Sequence, residues 1–222
     1  MEKTRIIDLH THSLLSDGVL LPSELIRRAE EKGYSCIAIT DHVDMSNLEE
    51  VIGQILKVCS SPAGTTGIEV IPGVELTHIP PVLIPKLVKK AREAGAKLIL
   101  VHGETIVEPV APGTNRAAIE ARIDILAHPG LITPEDVKLA RENSVCIEIS
   151  GRKGHSLTNG HVAKLAIEYH AKPVFGSDTH EPGDILTPEE VKKVCLGAGL
   201  TEMETDRLLN NAWELAEHRG YK

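Results

Sequence analysis

Short runs rich in Val, Ile and Leu alternate with amphipathic helical patterns along almost the whole chain, and this alternation limits the fold more tightly than any other feature. The runs are Arg5–His10, Ser35–Thr40, Ile68–Leu76, Lys97–Val101, Asp124–Ala127, Val145–Ser150 and Pro173–Gly176. Stretches such as IAIT and LILV are apolar at nearly every position, as strands covered on both faces of a parallel sheet must be. The intervening segments carry helix punctuation. Pro22 to Lys32 opens on proline and an early acid and stops at Gly33. Thr133–Asn143 and Thr187–Val194 both begin Thr-Pro with acids in the first turn. Thr201–Gly220 reads as a long helix with Glu204 at the capping-box position. Its apolar residues Met203, Leu208, Leu209, Ala212, Trp213, Leu215 and Ala216 form a face suited to closing a barrel or meeting a partner. No linker-like or low-complexity stretch intervenes, so residues 1–222 are expected to form a single α/β domain, either an open doubly wound sheet or a closed barrel.

The histidines decide between the two. The first run ends DLHTH, and His10 and His12, two apart on an extended strand, point to one side as two ligands of one ion must. The second run leads into Asp41 and His42, the third into Glu75, the fourth into His102 and the fifth into His128. The seventh leads into Asp178 and His180, again two apart. Besides Asp41, six histidines and two carboxylates therefore sit at the C-terminal ends of six strands. A barrel mouth gathers such ends by construction, whereas an open sheet does not. Asp8, in phase with His10, is expected to face inward, either orienting a ligand or making a barrel hydrogen bond. His78 and His155 fall in loops or helical stretches, and His161, His170 and His218 read as solvated.

Eight ionisable groups crowded together carry a large desolvation cost unless a cation balances them. They are too many for one tetrahedral ion. Imidazole and carboxylate donors without thiolate suit Zn²⁺, Mn²⁺ or Fe and do not choose among them. Two or three divalent ions around bridging carboxylates are implied, an arrangement that activates water and clamps the oxygens of a phosphoryl group.

Composition narrows the partners. The chain has 24 basic and 32 acidic residues, a net charge of -8, which makes nucleic acid an unlikely ligand. Aromatic residues make up 2% of the chain, too few for a base-stacking platform. No apolar run is long enough for a membrane span, and the N-terminus lacks a signal-peptide core. The cysteines (Cys36, Cys59, Cys146, Cys195) stand singly in apolar segments, as small buried hydrophobes in a reducing compartment do; a cytoplasmic location is expected. Oligomeric state stays open.

From DLHTHSLLSDG to GSDTHEPGDI, the motifs HxH, S-D-G, TDH, G-x-E, VH, AHPG and SDxH occur in an order that resembles the polymerase and histidinol phosphatase (PHP) family of metal-dependent phosphoesterases. The resemblance implies a distorted TIM-like (β/α)7 barrel with a trinuclear centre. One ion would take His10, His12, Glu75 and Asp178; a second His42 and His180; a third His102 and His128, with Glu75 as a bridge. Histidinol phosphatase-like members carry a further ligand shortly after HxH, where this chain offers Asp17. The segment EISGRKGHS is similar to the loop that holds the substrate phosphate in such members, which makes Arg152 the bidentate phosphate donor, Lys153 an added charge, and His155 a candidate general acid. Arg116 is a weaker phosphate candidate. The implied function is hydrolysis of a small phosphate monoester. The alternatives are a 3'-5' exonuclease or nucleotide phosphatase of the same type and, last, a non-catalytic barrel subunit like that of ribonuclease P.

Overall fold

A computed structural model of the chain describes residues 6–60 and 67–220; Arg5, the start of the first expected strand, lies outside them. The strands are β1 (Ile6–Asp8), β2 (Tyr34–Ile39), β3 (His42–Val43), β4 (Glu69–Leu76), β5 (Leu98–His102), β6 (Ile125–Ala127), β7 (Cys146–Ser150) and β8 (Pro173–Gly176). The helices are α1 (Pro22–Glu31), α2 (Leu48–Cys59), α3 (Ile84–Glu93), α4 (Thr114–Glu120), α5 (Pro134–Asn143), α6 (Asn159–Glu168), α7 (Pro188–Gly197) and α8 (Glu202–Arg219). The strands pair in parallel in the order β1-β2-β4-β5-β6-β7-β8, a TIM-like α/β barrel. Each of the seven sequence runs supplies one of these strands. The short β3 was not expected: β2 breaks at Thr40, whose N–H and hydroxyl both donate to the Thr11 carbonyl, and the chain resumes with His42 and Val43 paired to Glu75 and Leu76.

Alternate strand residues feed two cores, as the period of two requires. One set, including Ile37, Ile39, Val74, Leu76, Ile99, Val101, Ile147 and Phe175, packs under the helices. The other set fills the barrel: Ile7, Leu9, Cys36, Ala38, Ile71, Leu98, Leu100, Ile125, Ala127, Cys146 and Val174. Small Ala and Cys side chains recur in it because a barrel of few strands is narrow. Helix α8 joins that interior cluster through Ala212 and Ala216, with Trp213 and Leu215 packed against it. Asn211 Nδ2 ties the helix to the Pro173 carbonyl at 2.8 Å. The apolar face of α8 is therefore spent on the barrel, except Met203, which is 71% exposed. Thr201 and Glu204 form the expected reciprocal cap. All four cysteines are free, three buried and Cys59 half-buried. Among the described residues no helix is long and apolar enough to cross a membrane.

β8 and β1 close the barrel without a regular ladder. Above, Asp178 N donates to the His10 carbonyl at 3.0 Å and His12 N to the Thr179 carbonyl at 2.8 Å. Below, Asp8 replaces the ladder with its side chain: Oδ1 accepts from His10 N and from Ser177 N, both at 3.1 Å. Of its two expected roles Asp8 takes the barrel hydrogen bond and orients no ring. Burial raises its pKa from 3.8 to about 6, opposed by the hydrogen bonds from Ser177. A raised acid favours the fold below its unfolded pKa and loses that contribution as pH rises through the folded one. Asp8→Asn keeps an oxygen for both N–H groups, so its stability relative to the parent is expected to improve by up to about 3 kcal/mol between pH 4 and 7. Asp8→Ala orphans both donors and costs about 3 kcal/mol at pH 4. Urea unfolding at the two pH values checks both; parallel pH profiles for parent and Asp8→Asn would refute the burial argument.

Candidate metal centre

The strand ends place their histidines and carboxylates around one cavity of about 390 Å³, lined by Asp17, His42, His78, His102, Glu108, His128, Arg152, His155, Asp178 and His180 among others. At its floor lie His10, His12, Glu75 and Asp178, none more than 2% exposed. Glu75 Oε2 is 3.4 Å from His10 Nε2 and 3.5 Å from His12 Nε2; Asp178 Oδ1 is 3.7 Å and 3.3 Å from the same nitrogens. Tetrahedral coordination at about 2.0–2.2 Å puts neighbouring donors about 3.3–3.6 Å apart, close to these separations; His10, His12 and Glu75 form one donor group, and Asp178 forms another with His10 and His128. His10 Nε2, both nitrogens of His12 and Glu75 Oε1 are buried without a hydrogen-bond partner, and Glu75 Oε2 has His42 Nδ1 2.8 Å away but without hydrogen-bond geometry. Buried polar atoms are rarely left so. The donor set therefore fits a divalent cation.

A second group forms above it. Asp17 Oδ1 lies 3.1 Å from His180 Nε2 and 3.5 Å from His42 Nε2, and the His12 ring packs 4.2 Å from both imidazoles. Asp17 is positioned by the turn that follows β1, where Asp41 accepts from Ser13 N, Ser13 Oγ and Ser16 Oγ. Asp41 thus shapes the loop instead of facing the ions. A third group gathers His102, His128 and His155, with Glu75 Oε1 3.4 Å from His128 Nε2. His155 stacks on His128 with centroids 4.1 Å apart. Glu108 and His78, which the strand-end pattern passed over, reach His102 from the rim. They sit on loops, outside the periodicity that marked the other donors.

The sequence pattern also passed over Glu148, in the middle of β7. Its Oε1 accepts from His10 Nδ1 at 2.6 Å and its Oε2 from His128 N at 2.8 Å. The first bond fixes the His10 tautomer and turns the Nε2 lone pair to the floor of the site, the part a carboxylate behind a metal-ligating histidine plays. Its signal was visible: an acid at the centre of the apolar run CIEIS. Gly176 makes room for it, since a Cβ there would lie 2.0 Å from Glu148 Oε1. Strain concentrates here as well. His78, His128 and Asp178 hold φ of 51°, 27° and 55°, a region costly for residues with a Cβ.

The charges depend on one another. Burial pushes Glu75 upward, but His10 and His42 outweigh it and hold the carboxylate ionised; Asp178 is held down likewise, chiefly by His10. Burial lowers His10 in turn, and Glu148, Asp178 and Glu75 together raise it well above 6.5. His12 is the opposite case, lowered to about 3 by burial and by His42, and so neutral as a ligand must be. His155 is lowered to about 4 by burial and His128.

Other expected residues fall elsewhere. Arg116 pairs with Asp136 Oδ1 at 2.5 Å on the outside of the barrel, because its helix α4 packs on α5, and it does not meet the cavity. Lys153 is exposed and does not line the cavity. His161 is not merely solvated: its Nε2 contacts the Ile132 carbonyl at 2.8 Å. Arg152 does line the mouth, with Nη1 2.7 Å from His180 Nδ1 and 3.2 Å from the Asp178 carbonyl. Glu148→Gln is expected to weaken uptake of the floor ion about 10- to 100-fold while leaving the fold intact, measured by Zn²⁺ titration against a competing chelator. Unchanged affinity would remove Glu148 from the centre.

The family model described as PHP domain matches residues 8–106. An uncharacterised protein of Methanocaldococcus jannaschii is 48% identical over 204 residues, covering 91% of this chain and 94% of that one. A probable phosphatase of Thermoanaerobacter sp. is 29% identical over 223 residues, covering 92% and 90%. A 5'-3' exoribonuclease of Haemophilus influenzae matches locally, 39% identical over 74 residues, 33% of this chain and 24% of that one. Among solved structures, a chain of archaeal ribonuclease P with mature tRNA superposes with a TM-score of 0.73 over 97% of this chain and 91% of that one; at 20% identity the likeness is one of fold. Motif order, barrel topology and these matches agree, and the chain belongs to the PHP domain family.

Proposed function

We propose that this chain is a metal-dependent phosphoesterase that hydrolyses a small phosphate monoester at a centre of two or three divalent ions, Zn²⁺, Mn²⁺ or Fe. The observation that carries the reading is the floor of the cavity, where His10, His12 and Glu75 converge with buried donor atoms left without hydrogen-bond partners and Asp178 Oδ1 lies 3.3 Å from His12 Nε2. His10, His12, Glu75 and Asp178 would hold the floor ion; Asp17, His42 and His180 a second; His102 and His128 a third, with Glu75 offering it Oε1. When bound, such ions bring a water's pKa toward neutrality and offset the charge of phosphoryl oxygens.

The chain's own groups supply the rest. Arg152 is the one arginine or lysine lining the cavity among the described residues, and its planar fork suits two phosphate oxygens. Its present partner is instructive. His180 Nδ1 faces both Arg152 Nη1 and the Asp178 carbonyl, at 2.7 and 2.9 Å. If Nε2 of His180 is a donor to an ion, Nδ1 carries the proton and gives it to the carbonyl, which releases Arg152 Nη1 from His180 and leaves the guanidinium beside Asp178 Oδ2 and Asp184 Oδ2, at 3.8 and 3.7 Å. His155 remains the candidate general acid: it lines the cavity and pairs with Thr105 Oγ1 at 2.7 Å, while burial and His128 hold its pKa down, to about 4.

Phosphate release from histidinol phosphate and from nucleoside monophosphates tests the reading, using Mn²⁺- or Zn²⁺-loaded protein against a chelated control. Metal-dependent turnover is expected. Arg152→Ala should lower kcat/KM about 10- to 100-fold, the worth of a charge-assisted hydrogen-bonded pair. Turnover that persists in chelator, or a chain that takes up no ion, would end the proposal. Because neighbouring carboxylates hold His10, His42 and His102 above their ordinary pKa against the pull of burial, ion uptake is expected to release protons. Calorimetry in buffers of different ionisation enthalpy should show that release, with affinity falling as pH falls.

The local exoribonuclease match favours one other reading, hydrolysis of an RNA end. A net charge of -8 and one basic side chain in the cavity weigh against a polyanion. Cleavage of short oligoribonucleotides with a steep salt dependence would promote it over the monoesterase.

A further inference from the structure

One carboxylate reaches the cluster from outside the strand ends. Glu108 lies on the loop between β5 and α4, with Oε2 3.1 Å from His102 Nε2 and 3.4 Å from His78 Nε2, and Oε1 3.4 Å from His155 Nε2. Three imidazoles on three different loops or strand ends thus converge on a single side chain.

The loop is built to hold it there. Gly103 enters the loop where a Cβ would lie 2.3 Å from the Ala127 carbonyl oxygen, so no larger residue fits that path. Glu104 staples the two ends together: its N donates to Asn115 Oδ1 at 2.9 Å, and its Oε1 accepts from Gly113 N at 3.1 Å and Asn115 N at 2.9 Å. Asn115 Nδ2 in turn holds the Pro129 carbonyl at 2.9 Å. Thr105 pairs with His155, and Val110 N closes a tight turn onto the Glu108 carbonyl at 2.9 Å. Ile106 and Val107, immediately before, are 53% and 48% exposed. A glutamate beside such neighbours extends into water at little cost, yet this one folds its carboxylate inward. His78 adds an independent sign. It holds φ at 51°, a strained conformation for a histidine, with its ring 5.2 Å from that of His102.

Lone pairs explain the convergence. His102 Nδ1 donates to the Gly103 carbonyl at 3.2 Å, so in the neutral ring the lone pair is on Nε2. Nε2 and a carboxylate oxygen 3.1 Å apart need a positive charge between them, which a proton on His102 supplies in the ion-free chain and an ion would supply in its place. One divalent ion shared by His102 and Glu108 meets that need at a donor spacing close to that of the floor donors. His102 belongs to two donor groups, one with His128 and His155 and one with His78 and Glu108, so an ion on its Nε2 can draw on both, and His128 Nε2 lies 3.4 Å from Glu75 Oε1.

We propose that Glu108 is a further ligand of the ion carried by His102 and His128, closing that ion's coordination from the loop side while Glu75 approaches it from the barrel floor. The inference rests on the metal-centre reading above and goes beyond the ligand set that the strand ends supply. It gives the loop ion an anionic partner on a segment separate from the barrel, whereas the floor ion is held by barrel strand ends alone.

The test is a titration of ion-free full-length protein with Mn²⁺, followed by calorimetry and by the electron paramagnetic resonance signal of free Mn²⁺, in parent, Glu108→Gln and Glu108→Asp. Glu108 is on a loop and partly exposed, so melting of the ion-free variants should match the parent. The expected result is one class of site weakened about 10- to 100-fold in Glu108→Gln, with the remaining sites unchanged and Glu108→Asp between the two. Equal weakening of every site would make Glu108 a distant field and overturn the proposal, as would no change at all. A parent chain that binds no Mn²⁺ and no Zn²⁺ fails the metal centre itself, a result distinct from either.

Discussion

Two ionised carboxylates buried at the mouth of a narrow barrel are the constraint on which the rest depends. Glu75 is 0% and Asp178 2% exposed, so bulk solvent does little to stabilise either charge. Each is surrounded by imidazoles whose protonation compensates it, and that compensation is conditional on pH. A divalent cation supplies the same charge without a proton and lets the histidines act as neutral donors. The orphaned nitrogens of His12 follow from this, as does the crowding around Glu75, whose Oε2 lies 2.8 Å from His42 Nδ1 and 3.4–3.5 Å from the Nε2 atoms of His10 and His12.

The barrel is the device that brings these groups so close. Parallel strands deliver their last residues to one face, and interior positions below are filled by Ile, Leu, Val, Ala and Cys from alternate strand positions and by the inner face of α8. That packed floor excludes water from beneath the cluster and keeps the local dielectric low, which strengthens every charge interaction above it. The closing seam lies directly under His10. Asp8 serves the main-chain donors on both sides of it, so barrel closure and ligand placement share one side chain.

Positive φ at His128 and Asp178 shows what the placement costs. An extended strand would carry each residue past the cavity; a single left-handed step turns its side chain back into it. Glu148 behind His10 and His128, with Gly176 leaving it room, holds the result in place. The loops add what the strands do not: Arg152 for an anion, and Glu108 and His78 around the outer nitrogen of His102.

The sequence alone determined the strand runs, the helix caps at Thr133, Thr187 and Thr201, and the choice of a barrel over an open sheet. Those readings rest on local periodicity and on donor residues at strand ends, and both are written along the chain. It also marked the residues that meet at the mouth, since HxH and DxH spacing is itself a statement about which side of a strand a residue faces. Only the tertiary structure decided the partners. Glu148, 138 residues from His10, meets it because β7, β8 and β1 are neighbours in the barrel. Arg116 and Lys153 look like Arg152 in sequence but do not share its cavity; α4 packs on α5, where Asp136 takes Arg116. Asp8 has the phase of a ligand and became a clasp, because the seam left His10 N and Ser177 N without ladder partners. Glu108 carries no periodic signal, for a loop has no period, and its place was set by the closed path that Gly103, Glu104 and Asn115 impose.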